Sequence, residues 1–330
     1  METKKKWRWG KYRWMVLFFI VLGAVFASIY PPIRPHIQVA PEKISAQPLF
    51  SLPVIGDFYL TNTLVASFIV YGLLIIMAFS VKSSLQKAEK QGDMAPKGFS
   101  GAVETIIELM YNLTESTAGR YAKTIFPWFA TIVLVVLLSN WLELIPFFDS
   151  FGWLERAEKG GHIAQQILPG VSAIVSGGTG DASYVVVPWL RVPSTDLNFT
   201  VALAIISVGM TQVVGLRAQG PRYLSKFINT TTLFKRPLFG AIDFAVGLLE
   251  TISEAAKLLS FSFRLFGNIF AGSVLLFLIG SMVPIFAQSI VLLFEFFIGL
   301  IQAAVFGMLT MVFMAQATQG HGGEPEEATS

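Results

Sequence analysis

One arginine stands inside an apolar stretch long enough to cross a membrane. The stretch "LLSFSFRLFGNIFAGSVLLFLIG", residues 258–280, surrounds Arg264 with apolar or small side chains. At the centre of a bilayer an arginine costs from about 2.5 to more than 10 kcal/mol, depending on how far it can reach water. Ionisable residues at this depth are functional by default, so Arg264 is the first candidate for chemistry.

The polar residues near Arg264 share one face of the predicted helix. At about 100° per residue, five of them fall within about 40° of a line through Arg264. These five are Glu250, Ser253, Lys257, Ser260 and Asn268. Glu254 falls about 80° from that line, at the edge of the face. A hydrated, titratable track explains such a stripe better than small packing serines, a water-exposed helix end at Lys257, or a structural ion pair between Arg264 and Glu295.

Two other apolar segments also carry polar groups. Gln288, Glu295 and Gln302 are spaced by seven in the last apolar segment, so they share a helix face. Asn140 and Glu143 lie in "LLSNWLELIP", where they could also act as helix caps or hold helices together. A buried glutamate is as costly as an arginine unless it is protonated, hydrated or paired.

The composition predicts an integral membrane protein. Mean hydropathy is +0.63, and only 14% of the 330 residues are charged, compared with about a quarter in soluble domains. A net charge of +3 is too small to indicate nucleic acid as a partner. With no cysteine and three scattered histidines, His36, His162 and His321, we expect neither a metal site nor a cofactor.

The apolar runs predict an all-α polytopic fold in a single membrane domain, with six transmembrane helices, or five if the first is cleaved. The leader 1–30 is basic and then apolar, which fits both a retained anchor and a signal peptide. The remaining predicted spans are 60–81, 126–148, 197–217, 237–280 and 287–317. Segment 237–280 is much longer than a bilayer needs, so it has to tilt steeply, bend or begin well outside the membrane.

Basic residues predict the topology. The N-terminus and the segments 82–123 and 217–236 together hold 17 Lys and Arg, whereas the alternate loops hold five. This asymmetry predicts that both termini are cytoplasmic, including the acidic tail 319–330. Segment 99–119 has an amphipathic pattern typical of a surface helix. The extracytoplasmic loop 149–195 shows turn signals in "EKGGH" and "SGGTGD" but no pattern of a domain.

The segments "SFRLFGNIFAG", "LIQAAVFGMLT" and "PSTDLNFTVALAI" together resemble subunit a of the F-type ATP synthase membrane sector. The resemblance covers most of the chain, from "TNTLVASFIV" to "MVFMAQAT". It implies a non-catalytic, proton-translocating subunit that lies against a ring of c subunits, each with a membrane-embedded carboxyl group. The other implied partners are the peripheral-stalk b subunits, the rest of the complex and membrane lipid, in a bacterial plasma membrane rather than a thylakoid.

The resemblance also implies that 237–280 and 287–317 are a pair of strongly tilted helices that wrap the ring. It implies roles for individual residues as well. Arg264 matches the essential arginine, which favours the ionised carboxylate of a passing c subunit and repels hydronium between two aqueous half-channels. The implied cytoplasmic half-channel residues are Glu250, Ser253, Lys257 and Ser260. The implied outer half-channel residues are Asn140, Glu143, Asn268, Ser273, Glu295 and Gln302.

Two features depart from the family pattern. Many relatives have an acidic residue where this chain has Ser273, and a histidine where it has Glu295. The carboxylate has thus moved to the other helix, which leaves open the identity of the entry relay. The leader helix is a second departure. The alternative functions are a stand-alone ion channel or secondary transporter and a purely structural stator anchor. The selectivity for protons or sodium stays open.

Overall fold

The structure is a computed structural model. It describes residues 9–29, 40–45, 47–53, 56–91, 98–145, 151–156, 163–175, 184–227, 237–282 and 286–319.

Seven α-helices occur within these ranges. They are α1 (Trp9–Ile29), α2 (Asn62–Gln91), α3 (Phe99–Ala118), α4 (Ala122–Leu142), α5 (Leu197–Gln219), α6 (Pro237–Met282) and α7 (Phe286–Thr318). Three short 3-10 helices occur as well, at Gly119–Tyr121, Pro193–Thr195 and Gly220–Lys226. The first of these joins α3 to α4, and the third follows α5 directly.

The prediction of an all-α polytopic membrane protein is confirmed. Five helical segments of the described chain are long and apolar enough to cross a membrane: Asn62–Ala88, Phe99–Leu142, Leu197–Lys226, Phe244–Gly280 and Ala287–Thr318. In α1 the described apolar part, Arg13–Val25, is shorter than that, so the count agrees with the five-helix alternative. Helix α6 has 46 residues, which at about 1.5 Å per residue is roughly twice the thickness of the hydrocarbon layer.

Strands occupy part of the loop in which the sequence showed only turn signals. Strand β3 (Gly152–Arg156) pairs antiparallel with β6 (Tyr184–Pro188), and β4 (Ile163–Leu168) pairs antiparallel with β5 (Val171–Val175). The second pair is nested between the strands of the first in sequence. The turn signals "EKGGH" and "SGGTGD" lie outside the described residues. A further short hairpin joins β1 (Phe50–Leu52) to β2 (Gly56–Phe58); in chain order these two strands precede the other four.

The chain divides into two units, and four helices pass from one to the other. Unit 1 comprises residues 1–66, 140–195 and 268–299, and unit 2 comprises residues 67–139, 196–267 and 300–330.

Unit 2 has an apolar core built from four helices. Side chains of α3, α4, α5 and α7 form it: Met110, Ile125, Phe129, Val214, Met311, Met314 and Ala315. Helix α6 joins through Phe261, whose ring centroid is 4.9 Å from that of Phe306 on α7. A buried hydrogen bond of 2.7 Å links Ser207 of α5 to Thr310 of α7. This packing fixes which face of each helix points outward.

Unit 1 is organised around buried polar contacts. Asn62, at the start of α2, is fully buried and donates through Nδ2 to the carbonyl of Pro188 and to Oε2 of Glu42, each at 3.2 Å. The helix end of α4 packs on α7, where the ring of Trp141 stacks on Phe296 with centroids 4.7 Å apart. These contacts connect the loop strands and the helix ends within this unit.

Candidate functional site

Arg264 lies on an outward-facing surface of α6. Its neighbours Phe261 and Leu265 are buried, at 3% and 0% exposed. The side chain of Arg264, in contrast, is exposed. Its Nη2 is 3.5 Å from the hydroxyl of Ser260, at the limit of a hydrogen bond. No carboxylate among the described residues forms a salt bridge with this guanidinium. The charge is therefore not neutralised by the described part of its own chain.

Four charged residues of unit 2 form one network, which we call the lysine–glutamate cluster: Lys226, Glu250, Glu254 and Lys257. The Nζ of Lys226 is 2.6 Å from Oε1 of Glu250 and 3.2 Å from Oε1 of Glu254. The Nζ of Lys257 is 2.9 Å from the same Oε1 of Glu254. The cluster thus contains two cations and two anions, all partly buried.

Neutral side chains complete the coordination of Glu254. Gln212 of α5 donates from Nε2 to Oε2 of Glu254 at 3.1 Å. Tyr223 donates its hydroxyl proton to Oε1 of Gln212 at 2.7 Å, which fixes the orientation of that amide. Both oxygens of Glu254 therefore accept hydrogen bonds, and this carboxylate is the centre of the network.

Sequence reasoning missed half of this cluster. It found Glu250 and Lys257, but it put Glu254 at the edge of the polar face and treated Lys226 as one of several basic loop residues. The spacing of Glu254 from Glu250, four residues, was the available signal for its membership. Lys226 comes from another element, the 3-10 helix Gly220–Lys226, and no local pattern could have found it.

Unit 1 contains a second polar group, which we call the carboxylate cluster: Asn140, Glu143, Ser273 and Glu295. The hydroxyl of Ser273 donates to Oε1 of Glu143, and Glu143 itself is 6% exposed. Ser273 and Glu143 are separated by 130 positions in the sequence. Ser273 is therefore in direct contact with a carboxylate from a distant part of the sequence.

Glu295 reaches the same unit from α7. It is 4% exposed, and its carboxylate packs against the backbone of α6 at Gly272. A Cβ added at Gly272 would lie 2.5 Å from Oε2 of Glu295, so a larger residue there would displace the carboxylate from this position. Within the described part of the chain, Glu295 has no salt bridge.

Asn140 holds α4 against α7 in this unit. Its Nδ2 donates to the carbonyl of Gly299 at 3.1 Å, and the residue is 3% exposed. Its Oδ1 is also buried and accepts no hydrogen bond from the described residues. The amide can therefore hold the helices together and still offer one acceptor.

The other predicted residues are distributed along α6 and α7. Ser253, Ser260 and Asn268 are exposed on α6, and Gln302 is buried on α7 with 4% exposure. The described residues include no group of three or more His, Asp or Glu side chains that could hold a metal ion. His36, His162 and His321 lie outside the described residues.

Comparison with known proteins identifies the family. The model of the family described as "ATP synthase A chain" matches residues 63–315, more than three quarters of the chain. The chain belongs to this family. It is therefore a membrane-sector subunit of an F-type ATP synthase and is not itself catalytic.

Several curated relatives cover most of the chain. ATP synthase subunit a of Syntrophobacter fumaroxidans is 26% identical over 265 residues, which cover 80% of this chain and 87% of the relative. The Psychromonas ingrahamii subunit a is 29% identical, with 70% and 78% covered. That of Mycobacterium bovis is 26% identical, with 78% and 87% covered. Both polar clusters and Arg264 lie inside the family match, whereas α1 lies before it.

Proposed function

We propose that this subunit conducts protons to and from the carboxylates of a c-ring through two half-channels, which Arg264 keeps separate. The observation that carries the proposal is the state of Arg264: an exposed guanidinium on a candidate transmembrane helix, with no salt bridge to the described residues. A charge in this position requires water or an anionic partner. A membrane-embedded carboxylate on a neighbouring subunit is the partner that fits.

The chemistry follows from the charge. The guanidinium lowers the free energy of the ionised carboxylate relative to the protonated one, so the proton leaves when the carboxyl group arrives. The same positive charge repels a hydronium ion that would cross directly from one half-channel to the other. Arginine suits this role because it stays protonated and presents several donors in a plane.

The carboxylate cluster supports the outer half-channel. A proton relay needs groups that can gain and lose a proton, and Glu143 and Glu295 are such groups, whereas Ser273 can only orient a neighbour. The hydrogen bond from Ser273 to Glu143 keeps this serine in the path although it does not titrate. Asn268 and Gln302 complete the proposed set.

The lysine–glutamate cluster supports the cytoplasmic half-channel, together with Ser253 and Ser260. Charged residues in transmembrane segments pair with one another or face water-filled cavities. Glu250 has the highest side-chain exposure of the four cluster residues, 29%. It is therefore the member of the cluster that the described residues enclose least.

We place the protein in the plasma membrane of a bacterium with both termini in the cytoplasm. The distribution of basic residues supports this orientation, and the relatives named above come from bacteria. The c-ring and the peripheral-stalk b subunits are the partners proposed within the complex. Segment 99–119 is proposed to lie on the cytoplasmic membrane surface.

The test is Arg264→Ala in membrane vesicles that contain the whole complex. We expect ATP-driven proton pumping and ATP synthesis to fall to background, while immunoblots show normal assembly. Arg217→Ala is the matched control, because Arg217 is an exposed arginine on α5 outside both clusters. Pumping that persists in Arg264→Ala would refute the proposal, and proton flux through the purified chain without the c-ring would indicate a stand-alone channel instead.

A further inference from the structure

The segment that follows α5 brings a lysine to the proposed cytoplasmic half-channel. Lys226 is the last residue of the 3-10 helix Gly220–Lys226. The segment packs tightly on α6, because a Cβ added at Gly247 would collide with the carbonyl oxygen of Phe227. Tyr223 of the same segment is 3% exposed. The backbone of this segment is thus held against α6 at Gly247.

The two glutamates that contact Lys226 have different surroundings. Glu254 accepts hydrogen bonds from Lys226, Lys257 and Gln212, and its side chain is 11% exposed. Glu250 has 29% side-chain exposure and contacts Lys226 at 2.6 Å. Glu254 is therefore the more enclosed of the two carboxylates, and Glu250 is the more accessible one.

From this arrangement we propose that Lys226 is a positioning residue of the proton path: it sets how readily Glu250 releases a proton to the cytoplasmic side, and Glu254 holds Lys226 in place. The inference rests on the proposed function. A proton from the c-ring carboxylic acid reaches a carboxylate oxygen of Glu250 through water and forms an O–H bond there. That bond then breaks, and the proton passes to cytoplasmic water while Lys226 keeps its own proton throughout.

The described titratable and polar groups around Glu250 and Lys226 come from three elements. Helix α6 contributes Glu250, Glu254 and Lys257; the 3-10 helix contributes Lys226 and Tyr223. Helix α5 contributes the neutral Gln212. Removal of Lys226 leaves two carboxylates one helical turn apart with one lysine. Glu250 would then lose a cation that contacts it at 2.6 Å, so proton release through it should require a higher bath pH.

The experiment measures passive proton flux through the membrane sector in inverted vesicles from which the catalytic part has been stripped. A potassium diffusion potential sets the same driving force for every variant, and only the pH of the bath, which contacts the cytoplasmic face, is varied. We expect the flux profile of Lys226→Met to shift to higher bath pH by about one unit. Arg222→Met is the control, because it removes an exposed cation from the same 3-10 helix, and its profile should not move.

Two further variants separate positioning from stability. Lys226→Arg retains the cation and should restore the wild-type profile. The double variant Lys226→Met with Glu254→Gln removes one charge of each sign, so assembly should be normal while the pH shift persists. If Lys226→Met alone fails to assemble, the double variant decides: a wild-type profile would mean that Lys226 only balances Glu254, and the proposal would be wrong.

ATP-driven proton pumping in vesicles that retain the catalytic part distinguishes this inference from the proposed function. Arg264→Ala should abolish that pumping in parallel samples. An inactive Arg264→Ala together with an unshifted, fully assembled Lys226→Met would overturn the inference and leave the proposed function standing. An active Arg264→Ala would refute the proposed function first.

Discussion

In the lysine–glutamate cluster, the carboxylates of Glu250 and Glu254 meet lysine ammonium groups at 2.6–3.2 Å. In the carboxylate cluster, Glu143 accepts a hydrogen bond from the hydroxyl of Ser273, and Glu295 packs against the backbone of Gly272. The first cluster contains equal numbers of both charges. In the second, Glu295 has no salt bridge within the described residues.

This difference separates two ways of keeping a carboxylate in an apolar segment. An ion pair with several donors allows permanent charge, provided that the hydrogen bonds are satisfied. A carboxyl group without a cation has to be protonated or hydrated for part of the time. A carboxyl group without a cation is suited to relaying protons. A network of ion pairs is suited to a fixed framework in which one carboxylate exchanges its proton.

The largest effect in the carboxylate cluster is expected for Glu295→Gln. The substitution keeps the shape and removes the titratable group, so ATP-driven proton pumping should fall by about tenfold or more while assembly is retained. Pumping is measured by quenching of a pH-sensitive dye, and assembly by immunoblot. Glu108→Gln, which changes an exposed glutamate of α3, is the control. Equal pumping in the two variants would mean that Glu295 takes no part in proton transfer.

An intermediate effect is expected for Gly272→Ala. The added Cβ would lie 2.5 Å from Oε2 of Glu295, so the carboxylate has to move away from its position beside α6. We expect the rate of ATP synthesis to fall several-fold. Gly209→Ala on α5 is the matched control, because a Cβ there has no atom within 4 Å. A similar rate in both variants would show that the position of Glu295 is not critical.

The smallest effect is expected for Ser273→Ala. It removes one hydrogen bond to Glu143 and no titratable group. The proton flux should therefore fall by no more than about fivefold, which corresponds to about 1 kcal/mol. Ser116→Ala, an exposed serine on α3, serves as the reference. A complete loss of flux in Ser273→Ala would mean that the hydroxyl itself relays protons and does not only orient Glu143.

The sequence was sufficient for features that depend on local spacing. Runs of about 20 apolar residues indicated the membrane-spanning helices, because every backbone polar group in a bilayer has to be satisfied within its own helix. The stripe that includes Glu250, Lys257 and Arg264 followed from the helical repeat. Loop 149–195 was described less well: the strand pairing of β3 with β6 joins residues 28 to 36 positions apart, from Arg156↔Tyr184 to Gly152↔Pro188, and such pairing leaves only a weak local pattern.

The sequence by itself determined that this protein is a membrane protein of the ATP synthase A chain family, with Arg264 in an apolar helix. Tertiary structure decided which residues accompany the charges: Lys226 with Glu250, Ser273 with Glu143, and Glu295 against Gly272. The physical reason is that spacing along a helix fixes the face on which a side chain lies. The packing of Phe261 on Phe306, and the approach of separate segments, determine what that face meets.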